Sequence, residues 1–418
     1  MELNSVYIKN YKGINDLTLK LDGKNTVLYG ENGTGKTTLM TALTTIFYPI
    51  MNKLAVKKRL NSVLTISDDD ITYGASRSTI EVEINIGGEI FHFDIRKDRR
   101  KDKWNNNTNL EIISSKFSDM VYDINIPAPV FINYGVHRAV FDVPLRIRNG
   151  HDEFNIITAY ENCLSSNTDF RTFFEWYRNQ EDIVNENKTR NNFDYTNYQL
   201  KAVQDAIYDF LPGFSDLRVS RSPRLRMIIT KENQNIEVSS LSDGEKCLLA
   251  MVGDLARRMA IANPMSKRPL DTSGIVLIDE IELHLHPSWQ RRIIPNLQKT
   301  FPNIQFIITT HSPQVLGEIE DANIFRFRKN ERMLQYDVMN SLYGLDSNLI
   351  LEQFMGVDKE DGEIKNRIRK LYDAIDHSEL DVAKKLLDNL LTVLPNYHSD
   401  LVKAAILIRR GKQDDKDK

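Results

Sequence analysis

Apolar residues change their spacing several times along this chain, and each change predicts a change of element. Residues 5–9 and 17–21 alternate apolar and polar on either side of Tyr11-Lys12-Gly13, which predicts two short strands. Thr26-Val27-Leu28-Tyr29 is a compact apolar run and predicts a buried strand. Leu39, Leu43 and Ile46 then recur at helical spacing, with Pro49 as the expected stop. Alternation returns over 79–95, where Gly87-Gly88 marks the turn of a β-meander. Val130-Phe131-Ile132-Asn133 reads as another buried strand, whereas 151–210 is polar and helical in texture, an expected inserted lobe. Residues 215–240 alternate again, and a long helix follows from Ser242 to Ala262, closed by Asn263-Pro264. Two apolar runs, Ile275–Ile278 and Phe306–Ile308, flank a helix-sized segment containing Trp289. Strand, helix, strand predicts a parallel sheet. Beyond residue 340 the pattern is helical, with Leu386, Leu387, Leu390 and Leu391 on one face and a polar tail at 413–418 that is expected to be disordered. No repeat recurs at a fixed period.

The expected fold class is therefore α/β: a mixed sheet plus an antiparallel β lobe, a helical insertion and a helical C-terminal region. The expected segments are 1–150, 151–214, 215–338 and 339–418. Composition refines this little. With 418 residues, 41% hydrophobic and 27% charged, the chain has a soluble globular composition. A net charge of -3 excludes a global basic field, so any nucleic-acid surface must be local. The candidate is Arg96-Lys97-Asp98-Arg99-Arg100-Lys101-Asp102-Lys103-Trp104, for which a solvated hairpin tip outweighs a phosphate-contacting patch. Cys163 and Cys247 lack metal-ligand spacing and read as buried reduced thiols, consistent with a cytoplasmic protein. The N-terminus shows no secretory pattern, and no apolar run approaches the roughly 20 residues of a membrane span, so no membrane partner is expected.

Candidate chemistry begins at Gly30-Glu31-Asn32-Gly33-Thr34-Gly35-Lys36-Thr37, which satisfies G-x-x-x-x-G-K-[ST] between a strand and a helix. A triphosphate needs many inward backbone N–H groups, and glycines allow the tight turn that supplies them. Gly30, Asn32, Gly33, Thr34, Gly35, Lys36, Thr37 and Thr38 form the candidate cradle. Lys36 is expected on the β- and γ-phosphates of ATP, and the Thr37 hydroxyl on Mg²⁺. Asp279-Glu280 ends an apolar strand, at the edge where open α/β sheets bind ligands. Asp279 is the expected Mg²⁺ partner and Glu280 the group that polarises the attacking water. His311, after the next apolar strand, reaches the same edge and is expected to donate a hydrogen bond to the γ-phosphate. Leu241-Ser242-Asp243-Gly244-Glu245-Lys246 starts the long helix, and Ser242 with Glu245 forms a capping box on any reading. Gly244 is the unexplained residue, since glycine in a first turn costs about 1 kcal/mol against alanine. The expected reason is an anion from outside, an ATP held by a second subunit and received by Ser242 and Gly244.

In this order the glycine loop (Walker A), the Ser242–Glu245 signature, the Asp-Glu pair and the switch histidine resemble ABC-type ATPases of the SMC, Rad50, RecF and OLD group. Phe131–Arg138, Phe173–Arg178, Ile278–Pro287 and Thr310–Gln314 further resemble OLD-like bacterial ATPases, nearest to the PtuA subunits of Septu and retron-associated anti-phage systems. The resemblance implies an ABC-type P-loop ATPase head that forms homo-oligomers from ATP-sandwich dimers. It also implies a separately encoded HNH nuclease as partner, regulated by the ATPase. The signature departs from transporters in having Asp243 and Glu245. No glutamine follows the Val130–Asn133 strand, and Tyr134, His137 or Arg138 is expected in that place. The 151–210 segment is too short for an SMC-like coiled-coil arm. Neither a Toprim acidic cluster nor an HNH pattern is visible, so no nuclease activity is expected in this chain. The alternative of another class is a RecF-like repair ATPase that clamps DNA, with 96–103 touching nucleic acid.

Overall fold

The computed structural model describes residues 1–54, 64–101, 105–106, 109–136, 154–166, 168, 170–330, 333–356 and 362–414. They divide into two compact units, Met1–Leu345 and Asp346–Lys418. The expected segments 1–150, 151–214 and 215–338 all lie within the first.

The opening alternation becomes β1 (Glu2–Tyr11) and β2 (Ile14–Lys20), followed by β3 (Thr26–Gly30) and α1 (Lys36–Leu54). Then come β4 (Arg77–Ile86), β5 (Glu89–Asp98) and the short β6 (Asn105–Asn106). Five of these strands pair antiparallel in the order β2-β1-β4-β5-β6. In β4 the period of two is complete: Ser78, Ile80, Val82, Ile84 and Ile86 are all buried. α1 does not stop at Pro49. It continues to Leu54, because Ile46, Phe47, Tyr48, Ile50, Met51 and Leu54 are buried. That packing outweighs the one backbone hydrogen bond a proline removes.

α2 (Asn109–Tyr122) and β7 (Val130–Tyr134) precede the helical insertion, α3 (Phe170–Thr189) and α4 (Tyr198–Phe210). A three-stranded antiparallel sheet follows, made of β8 (Phe214–Ser220), β9 (Arg226–Lys231) and β10 (Gln234–Glu237). α5 (Asp243–Ala262) is the central helix, and every residue in it except Asp243 and Lys246 is buried. This exceeds the one apolar stripe, Leu248, Met251, Val252, Leu255 and Met259, that helical spacing marks. The buried Asp254 is tolerated because two guanidinium groups and a hydroxyl close on it. Asp254 accepts from Arg257 Nη2 at 2.6 Å, Arg258 Nε at 2.8 Å and Tyr134 Oη at 2.9 Å. Arg258 also donates to the carbonyls of Ala159 and Glu161, at 2.7 and 2.8 Å. The cluster thus ties α5 to the end of β7 and to the stretch before α3. Burial alone would raise the Asp254 carboxyl, but Arg258 and Arg257 overcome it and hold it at about 2.

The second half adds β11 (Gly274–Ile278), α6 (Pro287–Thr300), β12 (Ile304–Thr310), α7 (Pro313–Leu316), β13 (Asn323–Asn330) and β14 (Met333–Met339). The six-stranded sheet runs β14-β13-β3-β12-β11-β7. All its neighbours pair parallel except the edge strand β14. Ile278 lies opposite both Ile308 and Tyr134, and Thr310 lies opposite Tyr29. The ends of β3, β7, β11 and β12 therefore reach one edge of the sheet together. No helix among the described residues is long and apolar enough to cross a membrane.

The second unit holds α8 (Ser347–Leu349), a π-helical turn at Ile350–Met355, α9 (Gly362–Asp376), α10 (Leu380–Leu391) and α11 (Ser399–Asp414). Leu371, Ala383, Leu387, Leu390, Leu401 and Ala404 form its own core, with Leu386 and Leu391 partly buried around it.

Candidate nucleotide site

The site is built on the first turn out of the sheet. At Gly30 the backbone has φ 148°, and a Cβ there would lie 2.1 Å from the Phe327 carbonyl oxygen of β13. Only glycine lets β3 leave the sheet so close to its neighbour. Gly33 and Gly35 also have positive φ, 76° and 95°, and a Cβ on Gly35 would meet Leu334 at 2.8 Å. The loop then enters α1, whose first N–H groups have no partners within the helix. Lys36 is buried and donates to the carbonyls of Gly30 at 2.8 Å and Glu31 at 2.9 Å. Thr34 closes the loop from its side chain, donating to the Glu31 carbonyl at 2.8 Å. Asn32, Gly33 and Thr37 are exposed on the rim, and Thr38 is half-buried.

Carboxylates face this loop from β11. Burial lowers the Lys36 ammonium pKa, against the pull of Asp279, Glu280 and Glu282. Asp279 is buried and accepts from Thr309 Oγ1 at 2.5 Å. The same hydroxyl accepts from the Glu280 N–H at 2.8 Å. Glu280 has φ 48°, in the left-handed region, and the adjacent Ile281 N–H donates to the Thr309 carbonyl at 3.1 Å. A non-glycine residue in that region stores strain of about 1–3 kcal/mol, which neighbouring bonds must hold in place. Here β12 supplies them through Thr309.

His311 is half-buried one residue beyond β12. Burial and then Lys36 lower its pKa, against Glu282, Glu280 and Asp279. Its position is set by Glu282, a residue that motif spacing alone does not single out. Glu282 accepts from the His311 backbone N–H at 2.5 Å and from Thr310 Oγ1 at 2.8 Å. The available sign was a second glutamate two places after Glu280.

The signature lies elsewhere on the same chain segment. Ser242 is the exposed N-cap of α5, and the capping box with Glu245 is complete. Gly244 is buried, and its glycine has an internal cause that the sequence did not reveal. A Cβ there would sit 2.7 Å from the His284 carbonyl oxygen and 3.1 Å from the Trp289 ring. The signature turn is thus packed onto the segment that follows Asp279-Glu280. Tyr134 does not serve in place of the missing glutamine, because its hydroxyl is buried on Asp254. His137 and Arg138 lie outside the described residues. In the basic run, Arg96 pairs with Asp94 at 2.6 Å, Lys97 with Asp68 at 3.1 Å and Lys101 with Asp98 at 2.7 Å. Arg99 donates to the carbonyls of Ala75, Ile71 and Thr72. Arg96, Lys97, Arg99 and Lys101 are thus engaged by β5 and by the 68–75 stretch before β4, at the end of the hairpin away from its Gly87-Gly88 turn rather than at its tip, and Asp102-Lys103-Trp104 lies outside the described residues.

The arrangement fits a nucleoside triphosphate and a divalent cation. Glycines enforced by close approach form the cradle, a buried ammonium lies across loop carbonyls, and a buried carboxylate stands beside it. A P-loop flanked by parallel strands, with an acid pair and a histidine at the same sheet edge, defines an ABC-type ATPase head. The comparisons agree on this fold. An SMC head domain solved with the C-terminal winged-helix domain of ScpA superposes with a TM-score of 0.52 at 15% identity, over 81% of this chain and 98% of that one. A family model described as "AAA domain" matches residues 5–212, and one described as "AAA domain, putative AbiEii toxin, Type IV TA system" matches 152–317.

The chain belongs to the family of retron ATPases. It is 30% identical to the "Retron Ec83 probable ATPase" of Escherichia coli, over 87% of this chain and 78% of the relative. It is 28% identical to the "Retron Vc95 probable ATPase" of Vibrio cholerae, over 78% of this chain and 73% of the relative. A shorter similarity, 31% over 39% of this chain and 42% of the relative, links it to the Septu protein PtuA of Bacillus thuringiensis.

Proposed function

We propose that this chain hydrolyses ATP between two of its own copies, and that the cycle controls a separately encoded HNH nuclease in bacterial anti-phage defence. The observation that carries the reading is the convergence of Lys36, Asp279, Glu280 and His311 on one sheet edge, around a loop that glycine alone can form. The backbone of Gly30–Thr38 binds the phosphates, and Lys36 leaves its loop carbonyls to bridge the β and γ groups. Thr37 and Asp279 would hold Mg²⁺, which neutralises phosphate charge when bound. Glu280 polarises the attacking water, and His311 donates a hydrogen bond to the γ-phosphate. Ser242 and the start of α5 on the second copy approach the same γ-phosphate. ATP therefore favours the closed dimer, since that helix start gains an anion only there, and hydrolysis releases it. The similarity to retron and Septu ATPases supports the defence setting, and the helical second unit is the proposed surface for the nuclease or for higher assembly.

Glu280→Gln is expected to retain ATP while losing turnover. Normal hydrolysis by this variant overturns the assignment of Glu280. A second reading, a RecF-like DNA clamp, is favoured by 27% identity to the RecF of Rickettsia canadensis over 33% of this chain. It requires salt-dependent DNA binding that is lost when the cations of 96–101 are neutralised. The engagement of Arg96, Lys97, Arg99 and Lys101 within the chain weighs against it.

A further inference from the structure

The signature carries a carboxylate where an anion is expected to arrive. Glu245 is 5% exposed in the first turn of α5. Its Oε2 accepts from the Ser242 N–H at 2.9 Å and from the Ser242 hydroxyl at 2.8 Å. That hydroxyl is therefore directed inward, toward its own cap. A carboxylate in this place stabilises a helix start but opposes a second anion there. The opposing charge comes from a different element. Lys231 ends β9 and places its Nζ 2.6 Å from Glu245 Oε1 and 5.3 Å from the centre of the Phe214 ring. The other acid of the turn, Asp243, is exposed and lies 3.7 Å from Lys246. The Ser242 surface is thus electrically balanced only while Lys231 is present: two carboxylates against two ammonium groups.

We infer that Lys231 is a positioning residue for the nucleotide of the second copy, an inference that rests on the proposed ATP-sandwich dimer. Lys231 neutralises Glu245 before the γ-phosphate approaches. It also keeps Glu245 partnered when the Ser242 hydroxyl rotates away to donate to that phosphate. Removing the ammonium leaves a buried carboxylate without its countercharge on the receiving surface, which both repels the phosphate and holds the serine hydroxyl more firmly. Lys231 lies outside the four motifs, so its role is visible only once β9 is placed against the start of α5.

The test uses the full chain with Glu280→Gln to keep ATP intact, and measures the monomer–dimer constant by analytical ultracentrifugation with and without ATP and Mg²⁺. Adding Lys231→Met is expected to weaken ATP-driven association by about tenfold, the scale of one uncompensated charge facing another across a partly exposed surface. Lys231→Arg should retain association. Glu245→Gln, which removes the repelling charge, should associate at least as tightly as its parent. Lys231→Met with Glu245→Gln should recover to within about threefold of the parent, because the two losses cancel. The rescue separates charge from fold, since a lysine needed only for packing on Phe214 cannot be replaced by a change at Glu245. The inference is overturned if Lys231→Met associates like its parent, or if the double variant stays as weak as Lys231→Met alone. If the Glu280→Gln parent itself fails to associate with ATP, the dimer reading falls and this inference falls with it.

Discussion

Glu280 and Glu282 differ by two positions and by what they touch. Glu280 sits in a left-handed turn held by Thr309, while Glu282 bonds the backbone of His311 and the hydroxyl of Thr310. Glu282 therefore acts through the histidine. Glu282→Ala is expected to lower kcat by about tenfold with little change in KM for ATP, since a group that positions a transition-state contact affects turnover more than binding. Glu282→Gln, which keeps one carbonyl acceptor, should recover part of the loss. Equal rises in KM for both variants would show that Glu282 supports ATP binding instead. Gly244 gives a second residue-scale outcome. With a Cβ 2.7 Å from the His284 carbonyl, Gly244→Ala forces the signature turn off its seat. The expected cost is about 1–3 kcal/mol in urea unfolding, the range for overpacked sites. The glycine loop, Asp279, Glu280 and His311 were legible because motif spacing follows from phosphate geometry. Glu282 and the internal cause of Gly244 were not, because both depend on which segment the fold brings alongside.

At the scale of elements, α5 shows what periodicity misses. Leu248, Met251, Val252, Leu255 and Met259 mark one apolar stripe, and helical spacing alone gives Asp254, Arg257 and Arg258 no place in it. In the fold these three side chains are buried, Asp254 accepts from both guanidinium groups and from Tyr134 of β7, and Arg258 reaches the carbonyls of Ala159 and Glu161. Asp254 ionises at about 2 in the folded chain, against an ordinary 3.8. Below about pH 4 the unfolded chain thus binds more protons than the folded one, and stability falls as pH drops from about 4 through 2. Asp254→Asn is expected to cost about 3–5 kcal/mol at neutral pH, because it leaves buried Arg258 without its counterion. It should also flatten the acid dependence; guanidinium unfolding at several pH values reads both. α1 and β13 teach a related lesson. Pro49 was an apparent stop, but buried neighbours carry the helix past it. The alternation of Phe325 and Phe327 with Arg326 and Arg328 was in the sequence, yet β13 gains its place beside β3 only through long-range pairing.

The whole molecule is a unit that carries the candidate nucleotide site followed by a small helical one, divided at Leu345 rather than near 339 where the texture of the sequence changes. Each unit has its own buried core. Residues 1–345 alone are therefore expected to fold and to bind ATP with the affinity of the full chain. Loss of ATP binding on truncation would show that the helical unit belongs to the site. The central claim, that each ATP is completed by a second copy, has a more direct test. Ser242→Arg and Lys36→Ala chains, each inactive alone, are mixed and allowed to exchange, and ATP turnover is measured. Random exchange across a two-fold assembly makes half the dimers mixed, each with one intact composite site, so about a quarter of normal turnover should return. A mixture as inactive as its components, when ultracentrifugation shows that the chains have exchanged, would contradict the claim.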